Sequence, residues 1–206
     1  MGYITILGEA KESFTEKKSE FIASLRHVET SEEAMAFINE IVASNRKARH
    51  NVYAYVLRDG NIVRYSDDGE PQGTAGVPVL EVLKGEKLTD VCVVVTRYFG
   101  GILLGTGGLA RAYSHACKLA CTSATKMLME KAVTVDISCE YSLYGKISYV
   151  LPTYEVKTLL SEFGDDVKLK LLVKSEIVQD FCDKAVDLTN GRISLCKSDV
   201  FYADFS

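Results

Sequence analysis

Three carboxylates within four residues, Asp67, Asp68 and Glu70, stand one strand away from Arg97 and Arg111. Acids this close together could hold a Mg²⁺ ion. The arginines could instead clamp an anionic ligand, or tie the acids down as internal ion pairs. Both groups lie in glycine-rich runs, SDDGEPQGTAGVP from Ser66 and TRYFGGILLGTGGLAR from Thr96, and ten of the 15 glycines fall between Gly60 and Gly108. Glycine is costly to order and favoured where backbone needs positive φ or close approach, so this concentration marks a shaped surface. The candidate binding surface comprises His50, Asn51, Asp67, Asp68, Glu70, Thr74, Arg97, Tyr98, Gly100, Gly101, Gly105, Gly107, Gly108 and Arg111. No catalytic set emerges. Ser66 and Thr74 lack a histidine and acid placed as partners, and a lone His50 is more often structural.

These residues need elements to carry them, and the pattern predicts an α+β domain. Residues 3–13 and 20–28 read as strands, followed by a helix over 30–46 with a capping box from Thr30 to Glu33. Its apolar positions Ala34, Phe37, Ile38, Ile41 and Val42 form one stripe against a sheet. A hairpin is predicted for 51–57 and 61–65 around Arg58-Asp59-Gly60. A short helix over 76–84 carries Pro78 in its first turn, and Val91–Tyr98 reads as a buried strand. A long helix runs from Thr106 or Gly107 to about Met129. Its entrance, GGILLGTGG, exposes amides at the positive end of the helix dipole, where an anion could sit. The run lacks the G-K-[ST] of a phosphate loop and the G-x-G-x-x-G of a dinucleotide fold.

From about Ala132 the order becomes strand (133–141), helix (142–151, halted by Pro152), strands (154–163 and 167–174), a helix capped by Ser175 and stopped by Asn190-Gly191, and a last strand (192–204). That βαββαβ order is ferredoxin-like. Two domains are expected, residues 1–130 and 131–206.

Composition narrows the class. With 206 residues and 47% apolar residues the chain can build real cores. The net charge of −4 offers no basic excess in either half, which disfavours strong non-specific binding to nucleic acid. A local basic patch at Arg46, Lys47, Arg49 and His50 could still gather Arg64, Arg97 and Arg111. Six scattered cysteines contain no C-x-x-C pair and read as buried thiols, with no metal site. No apolar run is long enough to span a membrane, and the start does not resemble a secretory signal, so a cytoplasmic location is expected.

The double motif, together with KKSEFIA from Lys17 and ARHNVYAY from Ala48, resembles the IMPACT/YigZ family along the whole chain. The resemblance implies a first domain similar to the second domain of ribosomal protein S5. It implies a second, ferredoxin-like domain similar to the last domain of elongation factor G. It brings no established catalytic residues and no cofactor. The eukaryotic relative is a translational regulator that competes for the activator of an amino-acid-starvation kinase; it carries a different partner domain, so that partner does not transfer. The expected function is a non-enzymatic regulator linked to translation, binding the translation apparatus, structured RNA or a regulatory protein through residues 66–111. The alternatives are an enzyme or binding protein for a phosphorylated small molecule, with Mg²⁺ on the acidic loop, and an oligomeric scaffold using exposed aromatics such as Tyr98 and Phe99.

Overall fold

The computed structural model describes residues 2–206. The chain divides into two compact units, Tyr3–Leu128 and Met129–Phe205, the latter joined by Gly2. In the first unit β1 (Tyr3–Ile6), β2 (Glu9–Glu16) and β3 (Ser19–His27) lead to α1 (Ser31–Ser44). Then come β4 (His50–Val56), β5 (Val63–Ser66), α2 (Gly76–Gly85), β6 (Val91–Tyr98) and α3 (Thr106–Ser123). Five strands form one antiparallel sheet in the order β2–β3–β6–β4–β5.

Strand alternation assigns the two faces of this sheet. Val93 and Val95 of β6 join Phe21, Val52 and Tyr113 in the core beneath α2 and α3. Cys92 and Val94 point the other way, into a smaller core with Phe37 and Ile38 of α1. Arg97 shares the parity of Val93 and Val95 and lies opposite both Phe21 of β3 and His50 of β4. One row across three strands therefore sets Phe21, Arg97 and His50 on the α2/α3 face, and Tyr98 falls on the opposite face. There its hydroxyl donates to Asn45 Oδ1 at 2.9 Å.

The second unit contains most of β7 (Lys126–Cys139), then α4 (Tyr141–Val150), β8 (Lys157–Phe163), β9 (Val167–Lys174), α5 (Val178–Thr189), β10 (Ile193–Lys197) and β11 (Phe201–Asp204). The pairings β10–β7, β7–β9 and β9–β8 are all antiparallel, as a ferredoxin-like βαββαβ unit requires. Val135, Ile137, Leu169 and Leu171 face Leu143, Ile147 and Phe181 of its helices in one core.

Several sequence expectations are corrected. The segment expected as one strand over 3–13 breaks at Gly8, whose φ is +65. The long helix ends at Ser123 instead of near Met129; β7 begins at Lys126, and its Met129–Ala132 stretch is held as strand by pairing with β11. Residues Leu151–Tyr154 form a single 3₁₀ turn with Pro152 at its start, which delays β8 to Lys157. Ser175 does not cap α5, because the helix starts at Val178 with Ile177 at its N-cap. The last strand splits in two at Ser198, whose backbone and hydroxyl both bond Thr134. All six cysteines are free; five are buried and Cys196 is exposed.

Candidate functional site

The two motif runs meet in the first unit, but their charged side chains separate. Asp67 turns back on its own loop, where its carboxylate accepts from the amides of Gly73 (2.8 Å), Ala75 (3.0 Å) and Gly76 (2.8 Å). It closes the loop and caps α2, whose N-cap residue, Ala75, has no side-chain acceptor of its own. Burial pushes the Asp67 carboxyl up, but these amides outweigh it and hold the group below its ordinary value. Asp68 Oδ2 accepts from the amide of Asn51 at 2.5 Å. Thr74 is buried, and its hydroxyl donates to the Pro71 carbonyl at 2.6 Å.

Glu70 goes inward. Its Oε1 accepts from Arg97 Nη1 at 2.7 Å and from the hydroxyl of Tyr113 at 2.8 Å. Arg97 is 5% exposed; its Nη2 reaches Ser19 Oγ at 3.5 Å, its buried Nε has no hydrogen-bond partner among the described residues, and its guanidinium lies 5.5 Å from the Phe21 ring and 5.4 Å from the Phe99 ring. Burial and the adjacent Glu70 carboxylate push the Tyr113 phenol far above its ordinary value, so it remains a protonated donor. The His50 ring donates from Nδ1 to the Asp68 carbonyl at 2.8 Å, since a carbonyl can only accept. Its Nε2 is left facing Glu70 Oε1 at 3.9 Å, beyond hydrogen-bond reach.

Above this paired floor lies a hollow of about 390 Å³, walled by Phe99, Leu103, Leu104 and Leu109, with Arg49 and the start of α3 (Gly105, Thr106) at its edge. Leu103 is 82% exposed. The first residues of α3 have no side-chain cap and no acid in the first turn, so their amides remain open to an acceptor. Gly100 lets the chain turn here against the β2–β3 hairpin, because a Cβ at that position would overlap the Lys18 carbonyl. Gly101 and Gly107 lie on the exposed approach to α3.

Arg111 is not in this hollow. It lines a second one of about 350 Å³ with Gly108, on the side of α3 that faces the β2–β3 hairpin. Of the expected surface, then, His50, Glu70, Arg97 and Gly105 share the first hollow, and Gly108 and Arg111 the second. Arg64 is exposed on β5, bonded to the neighbouring Val63 carbonyl. The Mg²⁺ weighed in the alternative reading has no cluster of acids to hold it, because the three acids are each engaged by different partners. Among the described residues no group of three or more His, Cys, Asp or Glu side chains is placed to hold a metal ion.

Sequence reading missed Tyr113 and Ser19 as members of the floor. Tyr113 carried a signal: a tyrosine on the apolar stripe of a helix needs a buried acceptor for its hydroxyl. Ser19 carried none. In the floor one carboxylate oxygen, Glu70 Oε1, accepts from both an arginine and a protonated phenol. No helix is long and apolar enough to cross a membrane.

The Impact N-terminal domain matches residues 17–121, and a domain of unknown function, DUF1949, matches residues 137–192. The chain is 37% identical over 205 residues to the IMPACT family member YvyE of Bacillus subtilis, covering 98% of this chain and 94% of that one. It is 36% identical over 182 residues to YigZ of Escherichia coli, covering 87% and 89% respectively. A crystal structure titled as that of a hypothetical protein superposes with a TM-score of 0.63 at 32% identity, covering 96% of this chain and 98% of the other. With both domain matches in the family's order and relatives alike over nearly their whole length, the chain belongs to the IMPACT family.

Proposed function

We propose that this chain is a non-enzymatic regulator linked to translation, docking a partner through the hollow between β4, β6 and the start of α3. One observation carries the reading: an apolar-walled hollow of about 390 Å³ lies over a floor in which Glu70 accepts from both Arg97 and Tyr113. Such a floor gives shape and rigidity, which suits recognition of a partner. The link to translation comes from the family resemblance, and the partner is the translation apparatus, a structured RNA or a regulatory protein. The apolar wall, with Leu103 exposed at its lip, favours a protein segment that inserts an apolar side chain and brings an acid to Arg49 and the α3 amides. The same reading makes RNA binding the weaker member of the set, because few cations stand free at this hollow.

Arg97→Ala is a poor test, since it would strand the buried Glu70. Leu103→Asp and Arg49→Ala alter exposed side chains. Both variants should lose ribosome co-sedimentation and the partners captured by wild-type protein, at unchanged melting temperature. Retention equal to wild type would overturn the proposal.

A further inference from the structure

We propose that the second hollow, between the β2–β3 hairpin and α3, binds a nucleoside phosphate. Its two cations come from separate elements: Lys17 from the hairpin turn and Arg111 from the second turn of α3. Both are exposed, and neither makes a hydrogen bond or ion pair among the described residues. Glu16 is the one acid in the lining. A phosphate placed between two unpaired cations that line one cavity of about 350 Å³ gains charge-assisted hydrogen bonds.

The hairpin turn adds an independent observation. Glu16 pairs with Ser19, so the loop has two residues, Lys17 and Lys18. Both have positive φ, 44° and 64°. A turn of this kind takes Asn-Gly or Asp-Gly by preference, and lysines at both places are strained. Of the two, Lys17 lines the hollow, and residues in such conformations gather at ligand sites.

The floor identifies the rest of the ligand. The Phe14 ring is stacked on Phe21 at 5.4 Å and 18° and meets the edge of His115 at 4.7 Å and 86°. Leu104 and Ala112 complete an apolar bed. A phosphate alone has no use for a rigid aromatic floor, and an apolar ligand has none for two free cations. A nucleoside phosphate uses both, laying its base on the bed and its phosphate between Lys17 and Arg111, with Glu16 accepting from a ribose hydroxyl or exocyclic amine. The two hollows share only Leu104 among their lining residues, and this proposal does not rest on the docking reading.

Calorimetric titration with AMP, adenosine, inorganic phosphate and a 5′-phosphorylated tetraadenylate RNA tests it. AMP should bind saturably, with adenosine and phosphate each weaker by about tenfold or more. Arg111→Ala and Lys17→Asn, the latter tolerant of positive φ, should each weaken AMP by about fivefold or more without lowering the melting temperature. Arg49→Ala, at the other hollow, should leave AMP binding unchanged. If the RNA binds about tenfold tighter than AMP, the source is an RNA terminus; otherwise it is a free nucleotide. No saturable binding of AMP or RNA at millimolar concentration, or equal binding by wild type and Arg111→Ala, would overturn the proposal.

Discussion

Two hollows flank the start of α3, and they treat their arginines in opposite ways. In the first, Arg97 is buried and paired with Glu70, which also accepts from Tyr113. In the second, Arg111 is exposed and free of any ion pair among the described residues. Both belong to one sequence motif, fifteen residues or fewer apart by any reading of TRYFGGILLGTGGLAR. The difference shows that a motif's charges can divide between building a site and serving it. A buried charge is fixed by its partner and contributes to folding, whereas an exposed one keeps its solvation and is free to meet a ligand.

The largest expected effect tests the buried side. Glu70→Ala leaves the buried Arg97 without its counter-ion and Tyr113 without an acceptor, and should cost about 3–5 kcal/mol of stability in denaturant unfolding. Replacing the pair together, Glu70→Leu with Arg97→Met, should recover much of that loss, since apolar side chains of similar volume can stand in for a buried ion pair. A loss from Glu70→Ala below about 1 kcal/mol would mean that the floor is not a paired network, and the contrast would fail.

Asp67→Asn should come next, at about 1–2 kcal/mol, because an amide accepts less strongly than a carboxylate from the three backbone donors. Here pH sharpens the picture. The Asp67 carboxyl is held below its ordinary value, so its contribution is complete above about pH 4, where an unfolded aspartate is ionised, and fades as pH falls through the lower folded value. The stability gap between wild type and Asp67→Asn should therefore narrow in acid. A gap independent of pH would show that the three amides do not depend on the charge.

The smallest stability effects belong to the exposed side chains. Leu103→Asp and Arg111→Ala should each change stability by no more than about 0.5 kcal/mol. Their effects should appear in binding, and separately: Leu103→Asp in partner capture, Arg111→Ala in nucleotide titration. Loss of both activities in either variant would merge the two hollows into one site.

Much of the architecture was legible because it rests on local patterns. The Thr30 half of the capping box is present, with the Glu33 amide donating to Thr30 Oγ1 at 3.1 Å, while Glu33 Oε2 accepts from the Glu29 amide at 2.7 Å, one residue before the N-cap. The apolar run Val91–Tyr98 is the β6 strand, bounded as its composition suggests. Boundaries that depend on competition were less legible. The end of α3 was misplaced because Lys126–Met129 is compatible with either a helix or a strand, and the pairing of Met129 and Glu130 with Asp204 and Ala203 belongs to the far end of the chain.

The residue types and spacings determined that acids on a glycine-rich turn and arginines on a buried strand and the helix after it lie in one domain, and that a ferredoxin-like unit follows. The tertiary structure alone decided which charges meet. Arg97 donates to Glu70 and Ser19, and Tyr113 joins it on Glu70, four separate segments in all, while Arg111, one strand-to-helix connection later, is carried by the turn of α3 to another hollow. Helical phase and strand parity can be read from a sequence; the distance between two side chains on different elements is set only when those elements pack.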